Sequence, residues 1–266
     1  MITGNNGTNT GNVKVLFIGQ CLQYGYQNVT RSSTFSSRTA AMLRARFPGL
    51  RFKFDYKFLY HPTGLKAILK HRMLLSPPDV LIINLPAMYT ARPWRVNLLY
   101  ETAPELVDTA RSFMQKIEAK VKGSSQPQAS TILDGLFAIR QPLSLNEYEN
   151  TVEEALRECQ RASSCSIILI GPGRFNVDTW EEYPVHSPEL WSAVNQMVLR
   201  TGKRLNVAVV NAQDALAEYD GEVFIPNNHR WSDFGHEVVA REVEAVVASQ
   251  VAQLGRNPSL RKNRLL

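Results

Sequence analysis

Apolar residues along this chain keep two kinds of spacing. Some gather in short runs, others recur every three or four positions between turn residues, and the two kinds alternate. The first run, VKVLFI at 13–18, ends at Gly19. Val, Leu, Phe and Ile in succession suit a strand buried on both faces of a parallel sheet. Phe35, Thr39, Met42, Leu43 and Phe47 then predict a helix over 36–46, stopped by Pro48 and Gly49. In RFKFDYKF, Phe52, Phe54, Tyr56 and Phe58 alternate with Arg51, Lys53, Asp55 and Lys57. That is a strand with one wet face, which belongs at a sheet edge.

The turn HPTG at 61–64 leads into a helix over 65–75, ended by Pro77 and Pro78, and VLIINL at 80–85 reads as a third, fully buried strand. Residues 88–164 are longer than a simple crossover needs. They carry helical patterns over 105–121 and 145–162 with the loop GSSQPQAS at 123–130 between. This helical insertion either caps a site or is an enlarged crossover. SIILI at 166–170 is a fourth strand ending at Gly171-Pro172-Gly173, followed by a helix over 188–201, a fifth strand over 205–210 and a last helix over 237–254. Strands alternating with helices predict an α/β fold, a three-layer α/β/α sandwich on a parallel sheet of about five strands.

Composition narrows the classes. In 266 residues, 44% are hydrophobic, enough for a sizeable core. One domain over 13–255 is expected, after a Gly/Asn/Thr-rich lead-in at 1–12 and before a basic tail at 256–266 carrying Arg261, Lys262 and Arg264. The net charge of +6 is otherwise spread out, which argues against nucleic-acid binding. No run has the length of a membrane span, and the lead-in has neither a basic nor an apolar segment of a secretory signal. Three cysteines without zinc spacing suggest neither a metal site nor a disulfide framework. A cytoplasmic protein with reduced thiols and no cofactor is expected.

Chemistry enters at Cys21, two residues past Gly19. Ligands of open α/β sheets bind beyond the carboxyl ends of the strands, so a nucleophile here is well placed; the alternative is a small buried hydrophobe. The stretch GQCLQYG resembles the GDSLxxG motif of the SGNH/GDSL hydrolases, with Gln20 at the aspartate, Cys21 at the serine, and Gly19 and Gly25 in matching positions. Near the other end, FIPNNHRWSDFGHEVVA at 224–240 resembles the family's last motif, whose DxxH pair supplies a catalytic Asp and His. Phe224, Pro226, Ser232, Asp233, Gly235, His236 and Ala240 match its flanks. At its centre Asn227 stands for the Asp and Arg230 for the His; a one-residue slip puts His229 at the catalytic position. Asp233 and His236 form a rival DxxH, although the family's second His begins the last helix and is not the base.

The resemblance implies a sheet in the order 2-1-3-4-5 with the second strand at the edge. It also implies a backbone N–H of Gly64 facing an oxyanion beside that of Cys21. It fails at the third motif, where Pro86 replaces a Gly and Met88 replaces an Asn donor. The expected activity is hydrolysis or acyl transfer on a small ester or thioester, with Cys21 as nucleophile. His229 is the expected base, oriented by Asn227. The alternative is an impaired pseudoenzyme that keeps the scaffold as a binding domain.

Overall fold

The computed structural model describes residues 11–20, 29–59, 61–90, 143–174, 176, 188–219, 221–225 and 230–256. Within them, β1 (Asn12–Gly19), β2 (Arg51–Phe58), β3 (Val80–Asn84), β4 (Ser166–Ile170) and β5 (Ala208–Val210) form one sheet. The order is β2-β1-β3-β4-β5 and every pairing is parallel. All carboxyl ends therefore lie on one edge. The period of two divides the strand side chains cleanly between two cores. Leu16, Ile18, Leu81, Ile83, Ile167 and Leu169 face α2 (Leu65–Leu75), α3 (Leu145–Ala162) and α4 (Pro188–Leu205). Phe17, Val80, Ile82, Ile168 and Ile170 face α1 (Phe35–Arg46) and α6 (Asp233–Arg256), with the short α5 (Ala212–Ala217) beside them.

The edge strand follows its alternation. Phe52, Phe54 and Tyr56 lean on the α1/α6 core, and Tyr56 stacks on Phe17 with ring centres 5.3 Å apart. Arg44 covers Phe54 at 4.8 Å and Arg31 covers Tyr56 at 5.4 Å. Arginine stems thus shield the half-buried rings from water at the strand that lacks a second neighbour. The helix over 145–162 is the crossover between β3 and β4, begun by a capping box in which Ser144 and Glu147 satisfy each other's backbone N–H groups. Its buried Glu149 receives Arg200 and Arg204 from α4 at 3.2 and 2.5 Å, which ties two helices of that layer together. The patterns over 105–121 and 123–130 lie outside the described residues.

Two boundaries differ from the sequence pattern. Leu205 ends α4 instead of opening β5, because the helix runs on to Asn206 in the left-handed conformation (φ 52°). Gly202 permits this: a Cβ there would meet Val209 Cγ2 at 2.1 Å. Likewise α6 begins at Asp233, four residues early. Ser232 is its cap, with the hydroxyl accepting the Gly235 N–H at 3.1 Å. Among the described residues, no helix is long and apolar enough to cross a membrane.

Candidate active site

The carboxyl edge of the sheet gathers the polar residues that the strands otherwise exclude. Gln20 follows β1 and is buried. The Leu59 N–H donates to the Gly19 carbonyl at 2.6 Å, which fixes the exit of β1 against β2. Cys21 is the next residue after Gln20 and lies outside the described residues.

On the other flank, Phe224 and Trp231 form an antiparallel bridge. The Ile225 N–H donates to the Arg230 carbonyl, and the Ser232 N–H to the Val223 carbonyl, both at 2.9 Å. These bonds close the chain on either side of 226–229. Asn227 and His229 fall inside that interval and also lie outside the described residues. The bridge is anchored by Trp231, whose side chain is buried against Gly173. A Cβ on Gly173 would stand 3.0 Å from the indole, and its φ of 83° suits glycine alone.

His236 joins the two flanks. It lies in the first turn of α6, wholly buried, and its Nδ1 accepts the Phe35 N–H at 3.1 Å. Phe35 opens α1, the helix reached from Cys21. The imidazole stacks on the Phe35 ring at 6.3 Å and meets Trp231 edge-on at 5.5 Å. Accepting at Nδ1 requires the neutral tautomer with its proton on Nε2. Burial, and secondarily the Arg38 charge, pull the pKa down to about 3. The lone pair at Nδ1 is thus engaged in joining α1 to α6. Asp233 is exposed in the same turn. Its carboxylate sits at the positive end of α6.

Gly64 ends a 3-10 turn, Pro62–Gly64, just beyond β2. Its N–H donates to the His61 carbonyl at 3.0 Å, so the donor that the resemblance offers to an oxyanion is occupied within the chain. Pro86 is buried with no N–H to give, and its carbonyl accepts from Tyr148 Oη at 3.3 Å. The sequence reading missed Asn84, the last residue of β3. It is fully buried, its amide donates to the Gly171 carbonyl at 3.3 Å, and its Oδ1 has no partner among the described residues. A polar residue closing the otherwise apolar VLIIN was the available signal. Asn195 on α4 was missed too; it holds the loop after β4 by donating to the Gly173 carbonyl at 2.8 Å.

Gly235 gives this frame a direct test. A Cβ there would stand 2.2 Å from the Val223 carbonyl oxygen and 3.1 Å from Trp231 Cβ. Since backbone must yield, Gly235→Ala is expected to cost about 2–3 kcal/mol, at the upper end for overpacking, and to lower the urea midpoint. Gly221, where a Cβ meets nothing, is the control: Gly221→Ala leaves the midpoint within about 0.5 kcal/mol.

Two grooves among the described residues, of about 480 and 430 Å³, lie between α2 and α3 and between α5 and α6; the second reaches the carboxyl end of β5 at Asn211. Among the described residues no group of three or more His, Cys, Asp or Glu is placed to hold a metal ion.

No protein-family model matches the sequence, and no curated protein does. Solved structures do match in fold. A lipase/acylhydrolase from Enterococcus faecalis superposes with a TM-score of 0.59 at 15% identity, over 90% of this chain and 96% of that one. An α/β hydrolase from the metagenome of Lake Arreo, Spain, gives 0.57 at 16% over 88% and 94%. An acetylxylan esterase from Geobacillus stearothermophilus gives 0.54 at 16% over 87% and 92%, and its structures include catalytic mutants at a serine, an aspartate and a histidine. The likeness covers nearly the whole chain, so what this chain shares with these hydrolases is the entire three-layer α/β fold.

Proposed function

We propose that this chain is an SGNH-type hydrolase or acyltransferase that takes acyl groups from a small ester or thioester through a Cys21 thioester. One observation carries the reading: the Phe35 N–H to His236 Nδ1 bond at 3.1 Å joins the helix that follows Cys21 to the helix that follows His229. It does so on the α1/α6 side of the parallel sheet, whose carboxyl edge is where such folds bind ligands. In the hydrolases of like fold the catalytic groups include a serine and a histidine; Cys21 and His229 take those roles here.

Cys21 Sγ attacks the acyl carbonyl while His229 takes the thiol proton. The tetrahedral oxyanion collapses, His229 returns the proton to the leaving oxygen or sulfur, and the acyl group stays on sulfur. Water or another acceptor then attacks the thioester, His229 removes its proton, and the carboxylic acid or acyl product leaves with the thiol restored. Asn227 accepts or donates one hydrogen bond that orients the imidazole. It cannot stabilise imidazolium as a carboxylate would. A thiol tolerates this, because it ionises far more readily than a serine hydroxyl. With the Gly64 N–H occupied and Met88 in place of an Asn donor, the oxyanion rests mainly on the Cys21 N–H. Losing one such donor costs about 10²–10³ in rate, so a slow, specialised catalyst is expected. A nucleophilic thiol also suits a reducing, cytoplasmic setting.

The engaged Gly64 N–H, together with Asn227 for Asp, Pro86 for Gly and Met88 for Asn, equally favours the second reading, a pseudoenzyme that binds an acylated ligand without turnover. Two measurements separate them. Wild-type protein given p-nitrophenyl acetate should release nitrophenol with a burst and carry an acetyl group on Cys21 by mass spectrometry. Iodoacetamide at neutral pH should label Cys21 ahead of Cys159 and Cys165, which are both buried. No acetyl adduct, with labelling of Cys159 or Cys165 first, rejects the enzyme.

A further inference from the structure

Cys159 and Cys165 stand six residues apart, a spacing that within one helix would set them on different faces. The chain brings them together by leaving the helix between them. Cys159 lies in the last turn of α3. The helix is closed by the Ser163 N–H on the Cys159 carbonyl at 2.9 Å, and the Ser163 hydroxyl then accepts the Cys165 N–H at 3.1 Å. That turn returns Cys165 to the entrance of β4. The two sulfurs are 3.7 Å apart, both buried in the core of the α2/α3/α4 layer. Gln160 fastens the same turn to α4 by donating to the Leu205 carbonyl at 2.9 Å.

We propose that Cys159 and Cys165 are an oxidisable dithiol that closes to a disulfide, fastening the end of α3 to the start of β4. The sulfurs need to approach by only about 1.7 Å to reach bonding distance. Access is through the groove between α2 and α3, where Cys159 lies with Leu69, Met73 and Ala155 under the Lys66 and Lys70 stems. The hydrogen bond to Cys165, and then burial, push the Cys159 thiol up, and either sulfur of the pair can be the S–H donor to the other.

With a peroxide as oxidant the step balances. One of the two sulfurs attacks a peroxide oxygen, the O–O bond breaks, and the released hydroxide takes that thiol's proton as water. The second sulfur then displaces hydroxide from the sulfenic acid so formed, and its proton leaves in a second water. Two sulfurs lose two electrons in all, and one peroxide is reduced to two waters. The bond closes a ring at the amino end of β4, the opposite sheet edge from the carboxyl end of β1. It therefore acts on stability rather than on the proposed acyl chemistry, and it stands or falls apart from that proposal.

The full chain is treated with millimolar hydrogen peroxide, denatured, alkylated with iodoacetamide and digested with trypsin, which cuts after Arg161 between the two cysteines. The expected product is one linked pair of peptides, two hydrogens lighter than the reduced pair and separated by dithiothreitol. Oxidised protein should melt about 5 °C higher than reduced protein, a gain absent in Cys159→Ser. Full alkylation of both cysteines after peroxide overturns the proposal. So does oxidation of either to sulfinic acid without the link, or a link to Cys21 instead.

Discussion

Cys21→Ala is expected to lower kcat/KM for p-nitrophenyl acetate by about 10³-fold or more, since it removes the group that carries the acyl intermediate. His229→Ala should lose about 10²–10⁴-fold, the range for a positioned general base. The double variant should be hardly worse than Cys21→Ala, because a nucleophile and its base act as one unit. Cys21→Ser should also be poor. A hydroxyl needs a base held in its imidazolium-ready state by a carboxylate, and Asn227 carries no charge. Asn227→Asp in the Cys21→Ser background should then recover part of the lost rate. Retention of wild-type turnover by Cys21→Ala would sink the enzyme reading and leave the pseudoenzyme, whose ligand affinity His229→Ala would barely change.

His236 offers the internal control for that series. Its Nδ1 lone pair is engaged by the Phe35 N–H and its ring is enclosed by Phe35 and Trp231. Loss of activity in a His236 variant should therefore follow loss of folded protein. Loss in His229→Ala should appear in protein that melts normally. The separation matters because the sequence offers both histidines within eight residues, and the resemblance alone ranks His229 first as the base.

Much of the fold was legible because burial writes itself into short periods. The alternation of RFKFDYKF placed β2 at the edge with its aromatic face inward, and that is where Phe52, Phe54 and Tyr56 lie. VLIIN and SIILI are buried on both faces, as central parallel strands must be. The misread boundaries have local causes. Leu205 and Val207 look alike in a hydrophobic run, and only the fit of Gly202 under Val209 keeps the first in α4. The apolar pattern of α6 begins at Val238, whereas the helix itself starts at Asp233 behind the Ser232 hydroxyl.

The site was less legible, for a different reason. Its residues come from strand ends far apart in sequence, and a motif names residue types without stating who takes their hydrogen bonds. Gly64 matches in type, but its N–H goes to His61. Asn84 matches no motif and is nonetheless buried at the carboxyl end of β3 with an amide bond to Gly171. Cys159 and Cys165 meet only because a turn and a strand entrance bring them back together.

Acid should loosen this protein through His236. The group is neutral in the folded chain, with its pKa drawn from the ordinary 6.5 to about 3, first by burial and then by Arg38. The unfolded chain binds a proton below 6.5 and the folded chain does not. Stability from this group is therefore complete above pH 6.5 and declines as pH falls toward 3, by about 1.4 kcal/mol per pH unit. Between pH 7 and pH 5 the expected loss is about 2 kcal/mol. Arg38 also pairs with Glu237 at 3.5 Å. His236→Phe keeps the stacking against Phe35 and Trp231 but leaves the Phe35 N–H without its acceptor. At pH 7 it should lose about 1–3 kcal/mol. Its stability should then be flatter with pH, so that the variant and the wild type converge near pH 5. Urea titrations at pH 7, 6 and 5 on both proteins read this directly, and the other histidines cancel in the difference. Parallel curves, with the variant equally weakened at every pH, would mean that His236 takes up its proton as readily folded as unfolded, and would remove it as the neutral bond between α1 and α6.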